Sequence, residues 1–217
     1  MIATLVRDLQ PVRPLPLPQV RLAQWGLVVV ATMAVVTAWI GPRADLQASL
    51  ATLPLHAHFG LLVVVAVSSA IAALAMAIPG ERVQPWRRRA PVVAGLAWAT
   101  WLFVELWVFA ANGKSLSPGV EGVGCVAKAF TFAVTPGIAL TLMLGRGLAS
   151  DTRTMMVFAG LATAAVGALG VELTCPMTSP SHVLVWHGGP VVVAAMAAWV
   201  IGRAMLEKVT LVRLRPR

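Results

Sequence analysis

Sulfur and imidazole side chains are concentrated in one stretch of an otherwise apolar chain. The stretch CPMTSPSHVLVWHGGP begins at Cys175 and includes Met177, His182 and His187, all within thirteen residues. A second cysteine, Cys125, lies one predicted hairpin earlier. Thiol, thioether and imidazole groups bind soft and borderline metal ions, and the two sulfur groups also react with oxidants. Metal binding and oxidation are therefore the chemistry that these residue types can support.

The composition indicates the environment in which this chemistry takes place. The chain has 217 residues, of which 59% are hydrophobic and 12% charged, and its mean hydropathy is +0.83. A soluble domain carries roughly 25% charged residues, so this composition is typical of a polytopic membrane protein. A membrane-spanning helix needs about 20 apolar residues. The sequence predicts an all-α fold with six transmembrane helices, at residues 22–41, 55–78, 91–111, 127–144, 154–173 and 183–202.

The positive charges predict how the helices are oriented. Of the 17 lysines and arginines, 14 lie in the N-terminal arm, the second and fourth loops and the C-terminal tail, leaving Arg43, Lys114 and Lys128 on the other side. Positive residues collect in cytoplasmic loops, so both termini are expected in the cytoplasm and both cysteines outside. The predicted parts are an arm over 1–21, a bundle over 22–203 and a basic tail over 204–217. The net charge of +9 then reflects membrane topology and does not indicate nucleic-acid binding.

The two outward cysteines permit three interpretations. They could form a structural disulfide, remain inert thiols, or act as a sensor pair that binds a soft metal or is oxidised. In the third case a copper or zinc ion would bind transiently, and no obligatory cofactor is expected. The auxiliary ligands would be Met177, His182, His56 and His58. No CxxC pair is present, which argues against a thioredoxin-like relay.

Ionisable residues inside the predicted membrane helices include Glu105, Glu172 and His187. An ionisable group in lipid is costly, so each should face the bundle interior, and a Glu105–His187 or Glu172–His187 contact would satisfy both partners. Structural pairing, coupling of the outer rim to helix packing, and transport all remain open. The Gly-Gly-Pro run over 188–190 predicts a break or kink that could act as a hinge.

The N-terminal arm combines two patterns. Apolar residues at helical spacing in the first ten positions predict a short amphipathic helix that ends at Pro11. The run VRPLPLP that follows should be extended. Such an arm fits either a groove on a partner protein or the surface of the membrane. The first 21 residues lack the early apolar run of a cleavable signal peptide.

Several of these features together resemble the NrsF family. They are the arm DLQPVRPLPLP, the six spans, the cysteine before helix four and the segment VLVWHGGPV, which contains the Trp186-His187 pair. The resemblance covers nearly the whole chain. It implies a bacterial inner-membrane protein that holds an extracytoplasmic-function sigma factor inactive in the cytoplasm. It further implies that heavy metals or oxidants modify Cys125 and Cys175 in the periplasm and so release the sigma factor.

The resemblance also suggests where the sigma factor would bind. We expect the contact in the arm, supported by the arginine-rich loop 82–89, with the contact residues Leu5, Asp8, Leu9, Pro11, Val12, Arg13, Leu15 and Pro16. The expected partners are the sigma factor and the lipid bilayer, with no direct nucleic-acid contact and no small-molecule substrate. Unlike other types of anti-sigma factor, the chain shows no separate soluble anti-sigma domain.

Two other classes of protein compete with this interpretation. A small transporter or redox protein would need more polar residues at the membrane midplane than the sequence offers. A structural subunit of a membrane complex would have no need of the thiols. No phosphate-binding loop, catalytic triad or haem-attachment motif is present, so we expect no enzymatic activity.

Overall fold

The computed structural model describes residues 15–49, 51–78, 83–147, 149 and 151–213, with side chains as far as residue 204. Within these residues the chain is helical and contains no strand. The long helices are α1 (Pro18–Ile40), α2 (Leu53–Met76), α3 (Pro85–Ala111), α4 (Val123–Leu144), α5 (Thr152–Thr174) and α6 (Gly189–Arg213). A helical turn at Pro180–His182 and a π-helical segment at Val183–Gly188 lead directly into α6. Six helical runs are long and apolar enough to cross a membrane, as predicted.

Several helices begin earlier than the hydropathy pattern predicts. Helix α1 begins at Pro18 and α3 at Pro85, and proline suits the first turn of a helix because it has no N–H to leave unpaired. The arginines at 87–89, predicted as loop, are helical because arginine is a good helix former. Arg21, which the prediction placed in the arm, lies inside α1 and is buried.

Helices α2 and α5 form the centre of the bundle. They are the most buried of the six spans, and α5 packs against α1, α2, α4 and α6. Glycines let α5 approach its neighbours closely, since a Cβ at Gly167 would lie 2.7 Å from the backbone oxygen of Ala129 in α4. A side chain at Gly170 of α5 would overlap the ring of Phe132, which also lies in α4. Small residues at helix contacts are typical of packing in membranes, where no hydrophobic effect drives helices together.

The six helices divide the connecting loops between two ends of the bundle. At one end the N–H of Arg43, just after α1, donates to the carbonyl of Leu173 in the last turn of α5, at 2.9 Å. We call this the cysteine end, because Cys125 and Cys175 lie there. At the opposite end Gly147 packs directly against Ala77, which joins the loops after α4 and α2. We call this the arginine end, since Arg21 lies there.

Candidate functional site

Four buried side chains meet at the cysteine end. Cys125 lies in the first turn of α4, Cys175 directly follows α5, His182 directly precedes the π-helical segment, and His187 lies within it. The two Sγ atoms are 3.3 Å apart, and the Nε2 atom of His182 lies 3.5 Å from the Cys125 sulfur and 3.7 Å from the Cys175 sulfur. One donor atom from each of the four residues fits within 4.8 Å. We call these residues the cysteine–histidine cluster; each is at most 5% exposed.

The π-helical segment brings the two histidines together. In an α-helix, residues five apart point about 140° away from each other, since each residue turns the helix by about 100°. A π-helix joins residue i to residue i+5, as in the bond from the Gly189 N–H to the Leu184 carbonyl, so His182 and His187 lie on the same side. Their ring centroids are 5.3 Å apart. Pro190 lacks the N–H that a regular α-helix would use here, which favours the change of register.

The predicted break at Gly-Gly-Pro therefore takes the form of a register change. The backbone remains helical through Gly188 and Gly189, and Gly189 has right-handed helical angles, with φ −51° and ψ −50°. π-Helical segments are rare in proteins, and those that occur are often found at functional sites.

Hydrogen bonds from the histidines to groups outside the cluster fix which ring nitrogen faces the sulfurs. The Nδ1 atom of His182 donates to the carbonyl oxygen of Pro118 at 3.2 Å, and a carbonyl can only accept. The Nδ1 atom of His187 donates to the carboxylate of Glu172 at 2.6 Å. Both rings therefore direct Nε2 toward the cysteines. The Nε2 atom of His187 is buried and has no hydrogen-bond partner among the described residues.

Glu172 joins the cluster to a second polar group. The same carboxylate oxygen that binds His187 lies 3.2 Å from Nε2 of His58, and the indole N–H of Trp98 donates to Nδ1 of His58 at 3.4 Å. Of the two contacts that the sequence suggested for His187, the structure forms the one with Glu172. Glu105 does not join this chain of contacts directly; it lines a cavity of about 790 Å³ that Glu172 and His58 also border.

The loop between α3 and α4 is attached to the π-helical segment by side-chain hydrogen bonds. The indole N–H of Trp186 donates to the carbonyls of Pro118 and Gly119, at 3.1 and 2.9 Å, and the Ser181 hydroxyl donates to Ser117 at 3.3 Å. Gly122 packs against the face of Trp186, where any side chain would overlap the indole ring. Because Cys125 follows within one turn of Gly122, this packing also positions the first cysteine.

Two cations hold the end of α5 beside Cys175. The Nζ atom of Lys128 donates to the Thr174 carbonyl at 3.1 Å, and the Arg43 guanidinium donates to Pro176 at 3.4 Å. Positive groups are favourable at a helix C-terminus, where the carbonyls carry partial negative charge. Arg43 also donates twice to the Asp45 carboxylate, at 2.7 Å each. This pairing holds the pKa of Asp45 well below its usual range and raises the pKa of Arg43.

The thiol of Cys175 is acidic in this setting. Burial raises the pKa of Cys175, but the neighbouring His187 imidazole, the Met177 backbone and the Cys125 thiol lower the pKa by more, so the net shift is downward. A thiolate, unlike a thiol, is a metal ligand and a nucleophile. Met177 is partly buried and packs against the small apolar group that contains Cys125 and Cys175.

The remaining predicted site residues lie elsewhere. His56 is exposed, and its Nδ1 hydrogen-bonds the Thr52 carbonyl at 3.0 Å, outside the cluster. Leu15 and Pro16 border a cavity of about 660 Å³ at the arginine end, together with Arg21 and Arg146. The other predicted sigma-factor contacts lie outside the described residues, at Leu5, Asp8, Leu9, Pro11, Val12 and Arg13.

Comparison with known protein families identifies the chain. The model of the NrsF family, described as negative regulator of sigma F, matches residues 5–207, which include the whole cluster, helices α1 to α5 and most of α6. The chain belongs to the NrsF family. This NrsF protein is therefore a negative regulator of a sigma factor, and a sigma factor is its partner. Neither the curated proteins nor the solved structures gave a match.

Proposed function

We propose that this NrsF protein holds a sigma factor at the cytoplasmic face of the bacterial inner membrane and releases it when Cys125 and Cys175 are modified. The modifying agent is a heavy metal or an oxidant that reaches the cysteine end from the periplasm. Both termini lie in the cytoplasm in this arrangement, as the distribution of lysine and arginine suggests. The protein regulates by binding and not by catalysis, with no direct contact to nucleic acid.

The observation that carries this proposal is the 3.3 Å separation of the two buried sulfurs. One sulfur belongs to the start of α4 and the other to the end of α5, so a bond between them changes the spacing of two helices. A disulfide has an S–S length of about 2.05 Å, so its formation requires the sulfurs to approach by roughly 1.2 Å. A packed interior does not absorb such a shift locally, and the helices must adjust.

Helix α5 offers a route from this change to the other end of the bundle. It runs from Cys175 to Asp151, whose carboxylate accepts from the Thr154 N–H at 3.1 Å and caps the helix at the arginine end. Its 23 residues span about 35 Å at 1.5 Å per residue. Because α5 packs against four other helices, a displacement at its cysteine end alters contacts along the bundle.

The arginine end has features that suit a protein partner. Leu15 and Pro16 border a cavity there, and Arg146 supplies positive charge beside them. Arg88 and Arg89, at the start of α3, are exposed. We assign the sigma-factor contact to this face. Residues 1–18 would form most of the contact, and the arginines of the segment 82–89 would support it.

Affinity purification from native membranes tests the proposal. The tagged full-length protein should retain a sigma factor, identified by mass spectrometry, and lose most of it after treatment with copper or diamide. Variants Cys125→Ser and Cys175→Ser should retain the sigma factor under both treatments. The exposed-residue variant His56→Ala should behave as the wild type.

Two results would overturn the proposal at different points. Purification with other membrane proteins and no sigma factor would remove the binding function. Normal release from both serine variants would remove the cysteines as the switch.

A further inference from the structure

We propose that the cysteine–histidine cluster is a complete tetrahedral site for one filled-shell metal ion, Zn²⁺ or Cu⁺. The inference deepens the proposed function at the same site, since it names the class of ion and makes His182 and His187 direct ligands. The cysteine pair alone would supply only two ligands. A closed tetrahedral set of two thiolates and two imidazoles is the arrangement that such ions prefer.

The spacing of the donor atoms supports four-coordinate binding. With Zn–S bonds of about 2.3 Å and Zn–N bonds of about 2.0 Å, a tetrahedron places its sulfurs roughly 3.8 Å apart and each sulfur roughly 3.6 Å from a nitrogen. The sulfurs of Cys125 and Cys175 are 3.3 Å apart, and the His182 nitrogen lies 3.5 and 3.7 Å from them. Metal binding therefore needs a smaller adjustment of the sulfurs, about 0.5 Å, than disulfide formation does.

The histidine rings are already oriented as ligands. Metal-binding histidines usually donate their second ring N–H to a carbonyl or carboxylate, which fixes the lone pair of the other nitrogen toward the ion. His182 donates to Pro118 in this way, and His187 donates to Glu172. The buried Nε2 of His187 has no hydrogen-bond partner in the described part of the chain, and a metal ion would supply one.

Charge balance favours Zn²⁺ over Cu⁺ here, since Cu⁺ would leave a site of two thiolates with one net negative charge. Each thiol loses its proton on binding, so two protons leave and two thiolates neutralise a Zn²⁺ ion. A neutral site is much less costly to bury than an isolated charge. Glu172 connects the cluster to the cavity that Asp45 and Glu105 also line, and their carboxylates would attract a cation; Lys114 borders the same cavity. This cavity is the route by which we expect the ion to arrive.

Zinc binding by the reduced, full-length protein in detergent tests the site directly. Equilibrium dialysis should give one Zn²⁺ per chain, and X-ray absorption at the zinc edge should show two sulfur and two nitrogen ligands. His182→Ala and His187→Ala should each weaken Zn²⁺ binding by more than about 100-fold, because loss of a supporting group alone costs about 10–100-fold. Glu172→Gln should fall in that lower range. His56→Ala, which removes an exposed histidine outside the cluster, should bind Zn²⁺ as the wild type does.

The results that overturn the site are distinct from those that overturn the proposed function. A zinc shell without sulfur, or wild-type affinity in both His182→Ala and His187→Ala, would overturn the four-ligand site. The absorption measurement uses the wild-type chain, so it stands even if a variant does not fold. Sigma-factor retention is measured on the same preparations. If the sigma factor is released in a cysteine-dependent way but zinc has no mixed sulfur and nitrogen coordination, only the metal site is refuted. If zinc has that coordination but no sigma factor is retained, only the regulatory function is refuted.

Discussion

The two ends of the bundle are closed by the same device but differ in what they can sense. At the cysteine end Arg43 and Lys128 donate to the carbonyls at or just beyond the end of α5. At the arginine end the buried Arg21 donates to carbonyls in the last turns of α2 and α4, those of Leu74 and Met143. In each case a cation satisfies carbonyls that a helix end leaves without partners.

The cysteine end adds a cluster of groups that change their chemical state together. Its thiols can be oxidised or bind metal, and its imidazoles and the carboxylate of Glu172 respond to either change. The arginine end is held by packing and by a guanidinium that keeps its charge at all physiological pH values. This difference supports the proposal that the cysteine end receives the signal and that the arginine end, where α1 begins, binds the sigma factor.

The largest predicted effect on stability comes from removing the carboxylate of Glu172 at the cysteine end. Glu172→Ala leaves the buried imidazole of His187 without its hydrogen-bond acceptor and that of His58 without the carboxylate oxygen 3.2 Å from its Nε2 atom. Removing one partner of a buried ionic pair typically costs about 3–5 kcal/mol, and we expect a loss of that size in the free energy of unfolding. Denaturation by SDS, followed by far-UV circular dichroism, measures it.

Glu172→Gln provides the matched control, since its amide keeps an oxygen acceptor in nearly the same place. It should cost clearly less than the alanine variant. Equal losses in the two variants would show that Glu172 contributes through packing and not as an acceptor.

A smaller loss is expected from breaking the closure at the arginine end. Arg21→Ala removes two hydrogen bonds from a buried guanidinium to the carbonyls of Leu74 and Met143. Each hydrogen bond to a charged group contributes about 1.5–3 kcal/mol, but the variant also removes the cost of burying the guanidinium, so we expect a net loss of about 2–3 kcal/mol in the same SDS titration. Arg88→Ala, at an exposed position, should change stability by less than about 0.5 kcal/mol. Similar losses in both variants would show that Arg21 does not close the helix ends.

The sequence was sufficient to predict the helices because their signal is local. Each span is a continuous apolar run, and the six predicted spans match the six long helices to within a few residues at most ends. The proximity of Cys125 and Cys175 could be anticipated from topology, since helices joined by a short loop lie side by side. The starts of α1 and α3 were misplaced because charge and proline suggested loop, although both are compatible with a first helical turn.

The composition of the cluster could not be read from the sequence. His187 lies five residues after His182, which in an α-helix would place the two rings on different sides. The π-helical register depends on Pro190 and on tertiary hydrogen bonds, such as those from Trp186 to the carbonyls of Pro118 and Gly119. The local signal was the Gly-Gly-Pro run, which indicated irregular structure without its form. His56, by contrast, is close to His58 in sequence but lies on the exposed side of α2.

Two glycines test how rigid each end is. A Cβ at Gly147 would overlap the backbone oxygen of Ala77 at the arginine end, whereas a Cβ at Gly122 would overlap the Trp186 side chain at the cysteine end. Overpacking costs about 1–3 kcal/mol, and we expect Gly147→Ala near the upper value and Gly122→Ala near the lower, because a side chain yields more easily than backbone.

The same unfolding titration measures both variants, with Gly124→Ala as the control, since nothing lies within 4 Å of a Cβ there. A larger loss for Gly122→Ala than for Gly147→Ala would mean that Trp186 is held more rigidly than the backbone contact at the opposite end.

The smallest predicted effect is the one that tests whether the two ends communicate. Sites separated by the length of α5, about 35 Å, should be independent unless the packing of the bundle couples them. If metal binding weakens the contacts of Arg21, then by reciprocity the loss of Arg21 must strengthen metal binding. We expect Arg21→Ala to increase Zn²⁺ affinity about 2–5-fold, a coupling of about 0.5–1 kcal/mol, measured by competition with a zinc-binding dye. Arg88→Ala should leave the affinity unchanged. Unchanged or weaker binding in Arg21→Ala would show that metal binding is not coupled to the arginine end through the contacts of Arg21.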